Sequence, residues 1–242
     1  MKCHLVFTCV LAACCSANAG LLADYTFENG STESLTGSYD FNTVGTGMSY
    51  DLDGAVAFAR FPGTEGSPSY LQVQGPGGES QFTVSIWMRT SQANQGGYQG
   101  IFSTDFNTSA YRWQFDVDNG TQRLVSGTSG FSTITLGSVL LDEWQNIVIR
   151  KNLGDTTDVF INGINVGHRD ANVGGLHYFR LGTNRNTDNF FAMDVAEVSI
   201  WDTAEDGAAI YAAGMRNIPE PTTLALLLGG VAAAARRKLR RG

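Results

Sequence analysis

The sequence predicts an all-β protein: two antiparallel sheets packed face to face as a sandwich, with one short helix near the end of the domain. Three observations carry this. Apolar residues recur with period two in short runs, as half-buried strands require. The runs are punctuated by Gly, Asn and Asp, with 29 Gly in 242 residues. Only one segment has the chemistry of a helix start.

The elements follow in chain order. Residues 21–27 open the series, then 55–60 and 70–73. In residues 82–89 the alternation is clean: Phe82, Val84, Ile86 and Met88 fall on one face, Thr83, Ser85, Trp87 and Arg89 on the other. Strands are next expected at 100–104, 111–117, 122–126 and 143–150. Residues 158–161 and 164–168 are joined by Asn162-Gly163, the strongest short hairpin signal, because both turn residues take positive φ. The last strands are 177–181 and 192–201. A helix is expected over 204–215, where Thr203 and Asp206 resemble a capping box. About twelve strands must hide one face of each sheet, so the sheets stack. No repeat and no Pro/Gly/Ser linker divides residues 20–217, which read as one domain.

The two ends differ from this body. Residues 1–19 hold one basic residue, Lys2, an apolar run over 5–13, and the small-x-small close Ala17-Asn18-Ala19. This is the pattern of a secretory signal peptide cut after Ala19. Leu11-Ala12-Ala13-Cys14 also resembles a lipoprotein box, which would place a lipid on Cys14 instead. Cys3, Cys9, Cys14 and Cys15 all lie in this leader. The mature domain therefore has neither a disulfide nor a thiol nucleophile nor a thiolate metal ligand.

At the other end, Pro219-Glu220-Pro221 precedes an apolar stretch over 224–235 and the basic cluster Arg236-Arg237-Lys238-Leu239-Arg240-Arg241. Twelve residues span about 18 Å as a helix, short of the roughly 30 Å bilayer core. Such a helix would make a short transmembrane anchor, with the basic cluster held on the cytoplasmic side and the domain outside. Residues 218–242 resemble the PEP-CTERM sorting signal. That resemblance implies export through the Sec machinery, recognition by an exosortase, and delivery to the cell surface.

Charge then excludes partners. The chain carries a formal net charge of −7. Setting aside Lys2, the five basic residues of the tail and Glu220 leaves 10 Lys+Arg against 22 Asp+Glu, a net charge of −12 for residues 20–217. Nucleic acid is excluded, because phosphate contacts need a basic face. An acidic exterior favours solubility and divalent cations.

The ordered motifs resemble the laminin-G-like, concanavalin A-like jelly rolls over nearly all of residues 20–215. They run from Leu22-Ala23-Asp24-Tyr25-Thr26-Phe27-Glu28, through Phe82-Thr83-Val84-Ser85-Ile86-Trp87-Met88 and Glu143-Trp144-Gln145-Asn146-Ile147-Val148-Ile149, to Met193-Asp194-Val195-Ala196-Glu197-Val198-Ser199-Ile200-Trp201. The resemblance implies a jelly-roll sandwich with Trp87, Trp144 and Trp201 at core or near-core positions. It also implies a structural calcium ion where the first and last strands meet, held by Asp194, by carbonyls near Asp24 and Gly54, and by Glu28.

Catalytic chemistry is poorly provided for. A glycosidase needs two carboxylates set across the scissile bond. The one close i, i+2 pair in a strand-like setting, Asp116-Val117-Asp118, runs into Asn119-Gly120 and reads as a solvated hairpin end. The mature chain has only His168 and His177, with no nucleophile elbow for a serine triad and too few ligands for zinc. His168-Arg169-Asp170 reads as an exposed loop. The expected role is non-catalytic binding of extracellular polysaccharide or a surface protein, with a hydrolase of the same sandwich class or a structural surface protein as the alternatives. A sugar offers an apolar CH face to an aromatic ring and hydroxyls to Asn or Arg, so Tyr98, Tyr111, Trp113, Asn184 and Arg185 are the candidate ligand-binding residues.

Overall fold

The computed structural model describes residues 20–63, 68–75, 77, 80–92, 96–104, 113–126, 132–154, 156–169 and 174–215. The leader with Ala17 and Ala19, the tail with Pro219, Glu220, Pro221, Arg236 and Arg237, and Tyr111 lie outside these residues. Among the described residues no helix is long and apolar enough to cross a membrane.

Fifteen strands form among them. In chain order they are β1 (Leu21–Tyr25), β2 (Asn42–Val44), β3 (Ser49–Asp53), β4 (Val56–Phe61), β5 (Tyr70–Gln74), β6 (Phe82–Arg89), β7 (Gln99–Thr104) and β8 (Trp113–Asp118). They continue with β9 (Thr121–Ser126), β10 (Ser132–Ser138), β11 (Gln145–Lys151), β12 (Thr157–Ile161), β13 (Ile164–Arg169), β14 (Tyr178–Leu181) and β15 (Met193–Trp201). One sheet runs β13-β12-β11-β6-β15-β4-β3, with β1 also paired to β15; the other runs β10-β9-β8-β7-β14-β5-β2. All pairings between strands are antiparallel, as the short connections demand.

The expected two-sheet sandwich is therefore present. Three strands beyond the expected series, β2, β3 and β10, are all sheet edges. An edge strand is covered on fewer sides and need bury no apolar face: β3 alternates Tyr50 and Leu52 with Ser49, Asp51 and Asp53, yet all five residues are exposed. Asn162 and Gly163 take φ of 50° and 76°, as their hairpin requires.

The core lies between the sheets, and aromatic rings bridge it. Trp113 of β8 stacks on Phe82 of β6 at 5.5 Å and meets Phe102 of β7 edge-on at 4.9 Å. Phe102 contacts Phe179, Phe179 contacts Phe41, and Phe41 contacts Tyr25 of β1 at 4.1 Å. One aromatic chain thus ties both sheets together.

Strand β15 needs a correction of phase to serve this core. Met193 and Val195 point inward, and so do Val198 and Ile200, which have the opposite parity. The register against β6 slips between Val195 and Glu197, so Ala196 is the extra residue of a β-bulge that restores the inward face. Ala196 instead joins Val56, Phe58 and Trp87 in a smaller cluster on the outer face, with Trp144 packed against it. Trp87 and Trp144 are thus not in the sandwich core, and Trp201 ends β15 only partly buried. Trp87 is covered by Tyr211 of the helix α1 (Gly207–Ala213), stacked on it at 5.6 Å, and Trp144 makes an edge contact with Phe58.

Helix α1 is shorter than expected. Asp206 is its N-cap, accepting from the Ala208 amide at 3.1 Å, so the helix starts after Asp206 and not at Ala204.

His168 lies in β13 rather than in a loop, and its Nδ1 sits 2.6 Å from Oδ1 of Asp158 in β12. Arg150 and Asn152 donate to Oδ2 of the same carboxylate at 2.7 and 2.9 Å. Burial alone would push this carboxyl up; the bonds from His168, Arg150 and Asn152 outweigh it and bring the pKa down to about 2. A lowered carboxyl contributes stability above its unfolded value and loses it as pH falls through the folded one. The Asp158→Asn variant is expected to be less stable than wild type by about 2 kcal/mol at pH 6. Urea unfolding should show the gap closing between pH 4 and pH 2.

Candidate functional site

Strand alternation on β8 decides where the site lies. Trp113, Phe115 and Val117 are fully buried in the core, so Gln114, Asp116 and Asp118 must face the outer side of their sheet. Next to them on β9, Arg123 pairs with Asp116 in register. Its guanidinium grips Asp116 with both ends of the fork, Nε to Oδ1 at 2.9 Å and Nη2 to Oδ2 at 3.0 Å, and Nη1 reaches Asp118 at 2.6 Å. Gln114 donates its amide to Oδ2 of Asp116 as well. Asp116 is therefore not a solvated turn residue; its exposure is 0%. Burial pushes its carboxyl above the ordinary range, against the pull of Arg123 and Gln114. Only the Asn119-Gly120 turn beyond it behaves as expected, with φ of 50° and 84°.

A loop between β14 and β15 walls this surface. Gly100 of β7 leaves the room for it: a Cβ there would lie 2.2 Å from the Thr183 and Asn184 backbone. The wall is pinned by Ser103 Oγ donating to Thr183 O at 3.0 Å and by Arg180 donating to Arg185 O at 3.2 Å. The Arg185 amide donates to Gln114 Oε1 at 3.2 Å. Asn184 is buried and shapes the loop from within: its Oδ1 accepts the amides of Asp188 and Asn189, and its Nδ2 donates to Asp188 at 2.7 Å.

Between this wall and Arg123 opens a cavity of about 400 Å³ whose lining includes Tyr98, Gln114, Arg123, Asn184, Arg185 and Asn189. Tyr98 is 58% exposed and is held at positive φ. The Arg123 guanidinium packs over one face of its ring at 4.8 Å.

The structure thus brings three of the five expected ligand-binding residues, Tyr98, Asn184 and Arg185, to one cavity. Trp113 is corrected: its ring is enclosed by Phe82 and Phe102, and its Nε1 donates to Gly175 O at 3.3 Å. Gln114 and Arg123 were missed. The signal for them was the polar phase, Gln114 and Asp116, running opposite the apolar phase Trp113, Phe115 and Val117.

The Asp24 and Asp194 carboxylates are engaged by groups of the protein itself. Asp24 is buried, accepts from Ser199 Oγ at 3.0 Å and pairs with Ser199 in register. Asp194 lies five residues earlier on β15, about 16 Å along the strand. Both of its oxygens are taken by cations: Arg60 Nε at 2.9 Å and Arg89 Nη2 at 3.0 Å. The two arginines also bind Asp51 and Asp53, the residue before Gly54. Arg89 lies over the Trp144 and Phe58 rings at 4.6 and 5.5 Å. Glu28 is exposed in a 3₁₀ turn, Glu28–Gly30. Among the described residues no three His, Cys, Asp or Glu are grouped as a metal site.

Residues 65–210 match the family model described as the concanavalin A-like lectin/glucanases superfamily, and residues 217–241 match the PEP-CTERM protein-sorting motif. No curated protein matches the chain. Among solved structures, the fold resembles the binding domain of botulinum neurotoxin DC in complex with rat synaptotagmin II, with a TM-score of 0.65, 12% identity, and coverage of 80% of this chain and 51% of that one. The botulinum neurotoxin type G receptor binding domain gives 0.63 and 14%, covering 81% and 51%. The chain spans about half the length of these toxin domains. Domain 4 of AbnA, a GH43 extracellular arabinanase from Geobacillus stearothermophilus, in complex with arabinotriose, gives 0.63 and 19%, covering 80% of this chain and 98% of that domain.

Two outcomes follow from the placement of these residues. Trp113→Ala should cost about 3–5 kcal/mol in urea unfolding, as an emptied aromatic core site does. Asp194→Asn, which leaves two guanidinium groups facing each other, should cost about 1–2 kcal/mol. That loss should be equal in calcium chloride and in EDTA; a loss seen only with calcium would assign Asp194 to a metal.

Proposed function

Because the chain belongs to the concanavalin A-like lectin/glucanases superfamily and carries a PEP-CTERM sorting motif, we propose that it is an exported bacterial surface protein whose sandwich binds a neutral glycan without cleaving it. The motif supports recognition by an exosortase after Sec export, with the 224–235 segment holding the chain in the membrane before processing and the domain outside.

The observation that carries the binding reading is the cavity beside Tyr98. One face of its ring is backed by Arg123, which leaves the opposite face for the CH side of a sugar. Asn186 and Asn189, amides on a pinned wall, stand where hydroxyls would be recognised. Arg123 is already neutralised by Asp116 and Asp118, which favours uncharged sugars over uronic acids in a domain of net charge −12. The arabinotriose held by the AbnA domain is a ligand of this kind.

Binding without hydrolysis is supported by the same pair. Of the carboxylates beside the cavity, Asp116 and Asp118 both accept from one arginine, and Asp188 on the wall accepts from the Asn184 and Asn189 amides. A glycosidase acid and base would instead stand as a pair across the scissile bond.

A glycan array on the purified protein tests this. Neutral oligosaccharides should be retained, with or without EDTA, and acidic ones not. Tyr98→Ala should weaken the retained glycan roughly tenfold, about 1.4 kcal/mol, while leaving the unfolding midpoint unchanged. An array that retains no glycan would turn the assignment towards a protein ligand or a structural surface role.

A further inference from the structure

We infer that Asp116, which cannot touch a ligand, is the positioning residue of this cavity: its charge fixes the polarity of every bond from Arg123 to the Arg185 loop. The inference rests on the binding reading for its consequence, and on the hydrogen bonds alone for its mechanism.

A carboxylate with 0% exposure is retained only when its lone pairs are satisfied, and here three donors satisfy them. Two of the donors belong to Arg123 and one to Gln114, and both residues line the cavity. The fork of Arg123 is held flat, which places the guanidinium against the Tyr98 ring. The Gln114 amide has two distinguishable ends, and Asp116 decides which way it points. Because the ionised carboxylate paired with Arg123 only accepts, Nε2 of Gln114 faces it, and Oε1 is left facing the Arg185 amide at 3.2 Å. That bond ties the loop bearing Asn186 and Asn189 to the sheet.

Asp116→Asn keeps the shape and inverts one end of the chain. The introduced amide nitrogen is a donor. Placed at the former Oδ2 it meets two other donors, Arg123 Nη2 and Gln114 Nε2. Relief requires Gln114 to turn its oxygen towards the introduced amide, which sets its own amide nitrogen against the Arg185 N–H and breaks the tie to the loop. Placed at Oδ1, the same group opposes Arg123 Nε. In either orientation one wall of the cavity comes loose, at a position no ligand reaches.

Amide hydrogen exchange followed by NMR on the purified protein without ligand tests the mechanism. In Asp116→Asn the Arg185 amide should exchange at least tenfold faster, or Arg123 should lose its contact shift on the Tyr98 ring, while the Phe102 and Leu124 amides stay protected. With the neutral oligosaccharide selected on the array, the same variant should bind on the order of tenfold more weakly at a temperature well below its own unfolding midpoint, which is expected to fall. Should Asp116→Asn fail to fold, Gln114→Ala, which removes the link to the loop and one of the three bonds to Asp116 but leaves the Arg123 fork in place, should still release the Arg185 amide and weaken binding by less. A folded Asp116→Asn with wild-type Arg185 exchange and an unmoved Tyr98 ring overturns the inference. So does a Gln114→Ala variant with a protected Arg185 amide. If wild type retains no glycan, the binding reading fails and the exchange measurement alone decides the positioning role.

Discussion

The contact of the Trp113 indole with Phe82 across the sandwich, and with Phe102 beside it, is the constraint on which the rest of the structure depends. It closes the two sheets on each other, and it also sets the phase of β8. Once Trp113, Phe115 and Val117 are committed to the core, the alternate residues have no choice of face. Gln114 and Asp116 are delivered to the outside, where Arg123 and the Asn-rich loop meet them. Core packing and the candidate site are two sides of one strand.

The same coupling explains what could be read from the sequence. Strands with neighbours on both sides, such as Phe82–Arg89 and Trp113–Asp118, announce themselves by alternation because both packing and pairing constrain them. Edge strands are less constrained. Ser49–Asp53 alternates Tyr50 and Leu52 with polar residues, but both are exposed and the acids between them blunt an edge, so its alternation marks no buried face. In the site, Tyr98 and Arg185 were legible because loops that carry an aromatic or an arginine have little reason of folding to do so. Trp113 misled because an aromatic in an alternating run belongs to whichever phase is more apolar, and that phase is the core. Asp116 misled in the opposite sense. An acid three residues before a hairpin turn reads as solvated, and only its partner Arg123 on the next strand, distant in character though not in sequence, shows why it can be buried.

Among the described residues, six carboxylates serve as partners for arginine. Asp116 and Asp118 share Arg123, Asp194 stands between Arg60 and Arg89, and Asp158 gathers Arg150 and His168. The Asp194 network also absorbs the aromatic surface outside β6 and β15, with Arg89 lying over Trp144 and Phe58. Each pairing replaces hydration of a carboxylate by a directed fork, which holds two or three strands in register on an outer face where no apolar core can do so. That is how a domain with few cations keeps its outer surfaces ordered.

The pairing of Leu21 with Trp201 brings the beginning of the first strand and the end of the last to one end of the sandwich. A protein held at a surface through the segment after its last strand would carry mechanical load there. Helix α1, seven residues docked on the outside of β11, β12 and β13, would peel away first. The pull would then reach β15, which is bonded to β6 along one side and to β4 and β1 along the other. Force would enter the sheet at its centre and be resisted by many hydrogen bonds in shear, while the opposite sheet, with the cavity on its face, would lie outside the line of tension.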